Sequence, residues 1–263
     1  VAASYPQCDG LIDEVRIFTG TGFGAGCQHA PSAATLCARE QATTPADPED
    51  CANGIYELAG LSIELDDADC DGLINAYRCT DVWHPVALGT EVFDCGLRIV
   101  NGTPLADVLN FDHALLPIPT VAALGAGDDD YEGSNAEDLV FGSLDEDNLD
   151  GRDADDVLVG GSSHDSLDGE EGDDLLYGGD GPDWCAGKKG RDRIFGGADS
   201  DYINGYEGRD SLFGDADADE LIGGNGSDLI CGGADGDALA GNECHDVLYG
   251  GSGSDRLVGG SGD

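Results

Sequence analysis

Basic residues are scarce in this chain. Its 263 residues include 11 lysines and arginines against 55 aspartates and glutamates, which gives a formal net charge of −44 at pH 7. A nucleic-acid-binding protein needs a basic face that displaces the counterions of the phosphates. We therefore exclude nucleic acid as a partner.

Long apolar segments are also missing. No run approaches the roughly 18–20 apolar residues that a transmembrane helix needs, so we predict no membrane span. The chain begins at Val1 without a basic and apolar leader, and we expect that any export signal has already been removed. Its ten cysteines are typical of an oxidising compartment, which favours a secreted or surface protein.

Sequence motifs of catalysis are not recognisable. The histidines form no H-E-x-x-H zinc pair, and no G-x-S-x-G elbow presents a serine nucleophile. His29, His84 and His113 are isolated, and we interpret them as surface or core residues. We predict that the protein is not an enzyme. The alternative is a secreted hydrolase with an unrecognised active site in residues 1–120.

Charge and glycine divide the chain into two unlike parts. Residues 1–123 contain 18 acidic and 4 basic side chains, whereas residues 124–263 contain 37 and 7. Glycine occurs 11 times in the first part and 32 times in the second. Two prolines in the segment 115–119 disfavour both helix and central strand. We therefore predict two domains, residues 1–120 and residues 121–263.

The second part is an unbroken nine-residue repeat. Glycine recurs at every ninth position from Gly133 to Gly259, position 6 counted from that glycine is aspartate, and position 8 is apolar or cysteine. One earlier unit lacks the first glycine but supplies an aspartate and Tyr131. The repeated aspartates are Asp129, Asp138, Asp147, Asp156, Asp165, Asp174, Asp183, Asp192, Asp201, Asp210, Asp219, Asp228, Asp237, Asp246 and Asp255. A register held this long excludes an acidic low-complexity linker.

The nonapeptide resembles the GGxGxDxUx motif of the RTX, or hemolysin-type, calcium-binding repeat proteins. The segments GGDGPDWCA (178–186), GGNGSDLIC (223–231) and GGSGSDRLV (250–258) match it in full, with Cys185 as the apolar residue. In that family two nonapeptides complete one 18-residue coil of a parallel β-roll. The resemblance implies that several Ca²⁺ ions lie between successive turns, bound by main-chain carbonyls and by the repeated aspartates.

Elementary chemistry is consistent with such sites. Glycine permits the positive φ that lets carbonyl oxygens converge, and Ca²⁺ takes six to eight oxygen ligands. Aspartates stacked one above another repel each other without a cation. We therefore expect this half to be disordered without Ca²⁺ and to fold at extracellular levels of the ion.

Alternate turns lie on opposite flanks of the expected roll. The glycine flank comprises the turns that begin at Gly142, Gly160, Gly178, Gly196, Gly214, Gly232 and Gly250. The basic flank comprises the turns that begin at Gly133, Gly151, Gly169, Gly187, Gly205, Gly223 and Gly241. Stacking 18 residues apart pairs Lys188 with Glu170 and Lys189 with Glu171 on the basic flank. We expect this flank to depend less on metal, and calcium to be most regular on the glycine flank between residues 160 and 255.

Aromatic residues recur after the turns of the basic flank. Alternation along a strand puts Phe141, Tyr177, Phe195, Phe213 and Tyr249 on one outer face of the roll. Two explanations stay open. The rings shield neighbouring glycine turns, or they form a docking surface for the N-terminal half or for another subunit.

Cysteines are concentrated in the first part, which we interpret as a small disulfide-rich domain. Seven precede the repeats, namely Cys8, Cys27, Cys37, Cys51, Cys70, Cys79 and Cys95. In the repeats, Cys185 occupies an inward position and is expected to be a small core residue. Cys231 and Cys244 also lie in the repeats. A disulfide could join the two halves of one chain or join two chains, and the sequence leaves both alternatives open.

A second calcium candidate lies in the first part. Asp67, Asp69 and Asp71, followed by Gly72 and with Asn75 as a further oxygen donor, have the D-x-D-x-D-G spacing that resembles EF-hand, dockerin and thrombospondin type 3 loops. Those families place an acidic residue where this chain has Arg78. A solvated acidic turn is the alternative.

Taken together, the sequence predicts a mainly β protein, a right-handed parallel β-roll preceded by a small disulfide-rich domain. We predict a secreted calcium-binding protein of structural or adhesive function at the cell surface, with self-association into filaments or a layer. The chain stops inside a turn at residues 259–263, and we expect the strand edges there to be covered by a neighbouring copy.

Overall fold

The computed structural model describes residues 16–18, 54–58, 61–66, 76–78, 84–85, 87–94, 96–111 and 118–262. In chain order the strands are β1 (Arg16–Phe18), β2 (Gly54–Leu58), β3 (Leu61–Asp66), β4 (Ala76–Arg78), β5 (His84–Pro85), β6 (Thr90–Asp94), β7 (Leu97–Thr103), β8 (Val108–Asn110), β9 (Thr120–Ala126), β10 (Asp130–Glu132), β11 (Asp138–Leu144), β12 (Asn148–Asp150), β13 (Val157–Ser162), β14 (Ser166–Asp168), β15 (Leu175–Asp180), β16 (Trp184–Gly190), β17 (Arg193–Ala198), β18 (Tyr202–Gly208), β19 (Ser211–Asp215), β20 (Glu220–Asn225), β21 (Leu229–Ala234), β22 (Ala238–Glu243), β23 (Val247–Ser252) and β24 (Arg256–Ser261). Within these ranges, no helix has the length and apolar character needed to cross a membrane.

Most strands belong to a parallel β-solenoid of two sheets. The eleven-stranded sheet has the order β1-β23-β21-β19-β17-β15-β13-β11-β9-β7-β6, and the nine-stranded sheet has the order β24-β22-β20-β18-β16-β14-β12-β10-β8. Paired residues lie 18 positions apart, as Leu139 with Val157 and Leu149 with Leu167. Two nonapeptides therefore build one coil, which confirms the predicted parallel β-roll.

The parallel ladder begins upstream of the nonapeptide register. β7 pairs in parallel with β9, with Arg98 opposite Thr120, and β8 pairs with β10, with Val108 opposite Asp130. Both offsets are 22 residues rather than 18, because the connection between β8 and β9 is four residues longer than in later coils. The division into domains near residue 120 stays a prediction, but the solenoid already includes Leu97.

The two sheets end differently. β1 covers one end of the eleven-stranded sheet by pairing in parallel with β23, and Ile17 lies opposite Leu248. β6 covers the other end by pairing antiparallel with β7. In the nine-stranded sheet, β8 and β24 are the outermost strands among the described residues.

A separate antiparallel sheet contains β2, β3, β4 and β5 in that order. Residues 67–75, with the second calcium candidate (Asp67, Asp69, Asp71 and Asn75), connect β3 to β4 and lie outside the described residues. The seven N-terminal cysteines lie outside them as well.

The lumen of the roll is filled by the position-8 side chains. They are fully or almost fully buried from Tyr131 to Leu248, and Val100 and Ala122 continue the same cluster upstream. Cys185 is one of its members, fully buried and with a free thiol, as predicted. Each coil contributes two such side chains. Because successive coils stack, these side chains form one continuous core along the axis of the roll.

The predicted aromatic residues Phe141, Tyr177, Phe195, Phe213 and Tyr249, here called the aromatic stripe, lie on the outer face of the eleven-stranded sheet. Tyr177, Phe195 and Phe213 stack in succession, with ring centroids 5.1 and 4.7 Å apart. Phe213 has no exposed surface and Phe141 is 2% exposed, whereas Phe195 and Tyr249 are only partly buried.

Candidate metal centre

The turns of the roll have a fixed backbone conformation. The second residue of every turn from the one at Gly142 onward has positive φ, whether it is Gly179 (114°), Lys188 (74°) or Tyr206 (70°). A residue with a side chain costs roughly 1–2 kcal/mol in this region. Turns with a side chain at this position, such as those with Lys188 and Tyr206, therefore carry backbone strain, whereas glycine adopts the conformation freely.

The position-6 aspartates form two ladders, one on each flank. One carboxylate oxygen, Oδ1, accepts a hydrogen bond from the backbone N–H of the aspartate one coil earlier. The distance from Asp165 N to Asp183 Oδ1 is 2.8 Å on the glycine flank, and that from Asp174 N to Asp192 Oδ1 is 2.9 Å on the basic flank. This contact fixes each carboxylate between two successive turns.

The other oxygen, Oδ2, is buried and accepts no hydrogen bond in thirteen of these aspartates. They are Asp129, Asp147, Asp156, Asp165, Asp174, Asp183, Asp192, Asp201, Asp210, Asp219, Asp228, Asp237 and Asp246. A buried carboxylate oxygen without a partner is costly, and buried charges are normally paired or bound to a metal. The pattern marks thirteen positions at which a cation would satisfy the carboxylate.

Because the position-1 glycines have no side chain, the aspartate carboxylates of the same turns can occupy the space beside them. A Cβ on Gly178 would lie 2.4 Å from Asp183 Oδ2 and 2.5 Å from the carbonyl oxygen of Gly196. A Cβ on Gly142 would lie 2.3 Å from Asp147 Oδ2. No side chain fits at these distances, so the glycine is required by the carboxylate of its own turn.

Main-chain carbonyls converge on the same turns. A Cβ on Gly181, at position 4, would lie 1.8 Å from the carbonyl oxygen of Ser163 in the preceding coil. In the part of the chain that the structure describes, no cluster of three or more His, Cys, Asp or Glu side chains is suited to a metal. Carbonyl oxygens are the donors that would complete a ligand set around each carboxylate, and an all-oxygen set of this kind suits Ca²⁺.

Burial raises the pKa of the ladder aspartates. The pKa of Asp183 rises to about 8, and that of Asp156 to about 10, because desolvation disfavours the charged form and neighbouring carboxylates add repulsion. The effect is smaller near the ends, where the pKa values of Asp129 and Asp246 rise to about 6. A bound cation would lower these pKa values, because its charge offsets both the desolvation of the carboxylate and the repulsion between neighbouring carboxylates.

The comparisons with known proteins agree with this geometry. A family model described as the RTX calcium-binding nonapeptide repeat matches four times, over residues 150–185, 183–212, 204–239 and 232–263. Residues 150–263 are RTX repeats. Neither a curated protein nor a solved structure matches the chain. RTX repeats bind calcium, and here the unpartnered Oδ2 atoms and the converging carbonyls would hold the ions.

One further RTX-like unit lies upstream of the nonapeptide repeats and outside their nine-residue register, so it was missed from the sequence. Gly102, Asp107 and Leu109 have the spacing of positions 1, 6 and 8, and Asp107 N donates to Asp129 Oδ1 at 2.6 Å, as elsewhere in the ladder. The Oδ2 of Asp107 accepts the Thr103 N–H at 2.7 Å and is therefore satisfied within its own turn. The spacing of Gly102 and Asp107 is the signal that would have found this unit, but the longer connection after β8 displaces it from the nine-residue register.

In the first turn of the basic flank, the Oδ2 atom of the aspartate is likewise satisfied within its own turn. Asp138 Oδ2 accepts the Ser134 N–H at 3.1 Å, so it does not belong to the unpartnered set. At the other end, Asp255 Oδ1 accepts the Asp237 N–H at 3.2 Å. The structure thus places all fifteen predicted aspartates in the two ladders, while occupancy of each position stays a prediction.

Ion pairs distinguish the basic flank. Lys189 pairs with Glu171, as the 18-residue stacking predicts, and Lys188 Nζ lies 3.8 Å from Glu170. The closer partner of Lys188 is Asp168, at 2.7 Å, which precedes the turn and was not expected. Partly exposed pairs of this kind contribute about 1 kcal/mol or less, so they supplement rather than replace a cation.

Proposed function

We propose that this chain is a secreted, non-enzymatic calcium-binding protein with a structural or adhesive role, and that its repeat domain folds as Ca²⁺ binds. RTX repeat proteins are typically secreted. Extracellular Ca²⁺ is abundant enough to fill weak oxygen sites. Residues 124–263 carry a net charge of −30, which bound cations would largely neutralise.

The thirteen buried Oδ2 atoms without hydrogen-bond partners carry this proposal. Without a cation, the roll has to bury these oxygens unsatisfied or protonate them, and each choice costs free energy at neutral pH. The unfolded chain avoids that cost because its carboxylates stay hydrated. Folding and calcium binding are therefore expected to be one event.

A calcium titration followed by far-UV circular dichroism tests the coupling. We expect strand signal to appear with Ca²⁺, to disappear with a chelator, and to be weaker with Mg²⁺, which demands a smaller octahedral site. A strand signal that ignores the chelator would contradict the proposal.

Self-association is proposed through the nine-stranded sheet. Its outermost described strands are exposed, with Val108 of β8 77% exposed and Val258 of β24 41% exposed. All neighbours in this sheet are parallel, so β24 of one copy can pair with β8 of the next without a change of direction. Exposed strand edges favour such pairing, and a head-to-tail contact of this type generates filaments.

Light scattering in calcium and in chelator tests the assembly. We expect wild type to form oligomers in calcium, and the Val108→Lys variant to stay monomeric. Leu144→Lys is the matched control, because Leu144 is 40% exposed in β11, away from the sheet edges. A wild-type chain that remains monomeric in calcium refutes self-association but leaves calcium-coupled folding untouched.

A further inference from the structure

A groove runs along the corner at which the glycine flank meets the outer face of the nine-stranded sheet. It encloses about 530 Å³, and its walls include Pro182, Trp184, Ser200, Tyr202 and Glu220. Pro182, Ser200 and Glu220 are exposed, while the two rings are partly buried. The volume lies within the range of about 300–1,000 Å³ that is usual for small-ligand sites. The groove is therefore large enough to hold a ligand.

The nonapeptide repeat builds this groove. Because position 8 points into the lumen, position 7 points outward, and the position-7 side chains of successive coils lie side by side. The lumen is filled by the position-8 side chains, so the two rings are not needed for the core. The decrease in size from the rings to an alanine two coils later leaves the space of the groove. The row consists of Asn148, Ser166, Trp184, Tyr202, Glu220 and Ala238.

Lys188 holds the Trp184 ring from the side of the sheet. Its Nζ atom lies 5.8 Å from the centre of the Trp184 ring and 5.3 Å from that of the Tyr206 ring. Asp168 fixes this ammonium group at 2.7 Å. Trp184 is thereby positioned before a ligand arrives, which lowers the entropic cost of binding.

Charge narrows the class of ligand. Glu220 lines the groove and the chain has a net charge of −44, so phosphates and acidic polysaccharides are repelled. A cationic ligand would compete with Lys188, whose ammonium group already lies near the Trp184 ring. These two effects together favour an uncharged ligand.

The lining of the groove selects a sugar among uncharged ligands. Tryptophan and tyrosine combine an apolar ring face with a polar edge. The C–H face of a pyranose ring stacks on such a surface, while its hydroxyls can bond to His164, Ser200 and Glu220, which also line the groove. A purely apolar ligand would leave these polar groups without partners, which costs free energy.

We infer that this groove binds the sugar units of a neutral polysaccharide. The inference rests on the proposed function, because it gives the adhesive role a ligand of defined chemistry.

The aspartate ladder positions the groove, so binding requires calcium. Tyr202 N donates to the carbonyl oxygen of Asp183 at 2.9 Å, and Asp183 N donates to Asp201 Oδ1 at 2.8 Å. Both aspartates line the groove and belong to the set with unpartnered Oδ2 atoms. A ladder that closes only with calcium places the ring only with calcium.

Affinity gel electrophoresis of the full chain in calcium tests the inference. The gels contain hydroxyethyl cellulose, soluble starch or galactomannan as neutral polymers, or polygalacturonate as an acidic one. We expect at least one neutral polymer to retard the wild-type protein more than polygalacturonate does. Retardation by none of the neutral polymers, or retardation by polygalacturonate that is equal or stronger, would overturn the inference.

Trp184→Ala assigns the binding to the groove. We expect binding to weaken by about tenfold or more through loss of one stacking ring. Tyr206→Ala is the matched control, because Tyr206 is 38% exposed on the same face but does not line the groove, and its affinity should stay within about twofold of wild type. Ser200→Arg, which places a long side chain in the groove from an exposed position, should weaken binding as Trp184→Ala does. Wild-type affinity in Trp184→Ala and Ser200→Arg would overturn the inference.

Circular dichroism of the same samples separates this inference from the proposed function. A calcium-dependent strand signal without binding that depends on Trp184 would refute the groove alone. Binding that depends on Trp184 but persists in chelator would refute the coupling of folding to calcium, while the groove would stand.

Discussion

Replacing Gly178 by alanine perturbs one turn without removing a ligand. Gly178 does not have positive φ, so alanine is compatible with the backbone there. The new Cβ would lie 2.4 Å from Asp183 Oδ2 and 2.5 Å from the Gly196 carbonyl oxygen, about 1 Å inside ordinary contact. The carboxylate can rotate away, but the carbonyl belongs to the backbone of the next coil and cannot.

We expect the substitution to destabilise the calcium-loaded roll by about 1–3 kcal/mol, the usual cost of forcing a methyl group into a packed site. For a chain of this size, that cost lowers Tm by about 3–10 °C. The displaced carboxylate should also reduce the calcium stoichiometry. Thermal unfolding by circular dichroism and isothermal titration calorimetry measure the two effects.

Gly236→Ala is the matched control. Gly236 also lies in a turn of the glycine flank and lacks positive φ, but its nearest neighbour would be the Ser254 carbonyl oxygen at 3.2 Å. We expect this variant to stay within about 0.5 kcal/mol of wild type. If Gly178→Ala and Gly236→Ala unfold at the same temperature and bind the same number of ions, the packing of position 1 against the carboxylate is not what requires glycine.

Three further predictions follow from the same geometry. In chelator, strand content should rise as the pH falls from about 8 to about 5. Folding raises the pKa of Asp183 and Asp156 above the unfolded value, so protonation of these carboxylates stabilises the roll, and this contribution to stability is lost as the pH rises through the folded pKa. With calcium the dependence reverses, since protons compete with the ion for the carboxylates. Lys188→Gln should lower Tm by no more than about 4 °C through loss of the Asp168 ion pair. Asp107→Asn should leave the calcium stoichiometry unchanged, because Asp107 Oδ2 already accepts a backbone N–H, whereas Asp183→Asn should reduce it, because Asp183 Oδ2 has no such partner.

Each of these predictions has an outcome that contradicts it. Strand content in chelator that is constant with pH would show that the carboxylates are not desolvated. For Lys188, a loss of stability that greatly exceeds that of Lys189→Gln, whose pair is more exposed, would show that the basic flank depends on its ion pairs. A lower stoichiometry in Asp107→Asn would show that the upstream turn also holds an ion.

The sequence by itself determined the coil. Glycine, aspartate and an apolar residue at fixed positions of a nonapeptide predict the 18-residue pairing, the lumen column that contains Cys185, and both aspartate ladders. These features follow from sequence because each depends on residues that repeat at a constant interval.

Only the tertiary structure decided where the roll begins and which side chains meet on its surface. The upstream unit with Gly102 and Asp107 is displaced by a longer connection, so periodicity does not reveal it. The ion pair of Lys188 with Asp168 and the pairing of β1 with β23 join residues that the nonapeptide register does not relate. Contacts of that kind depend on how segments meet in space, and a local repeat carries no signal for them.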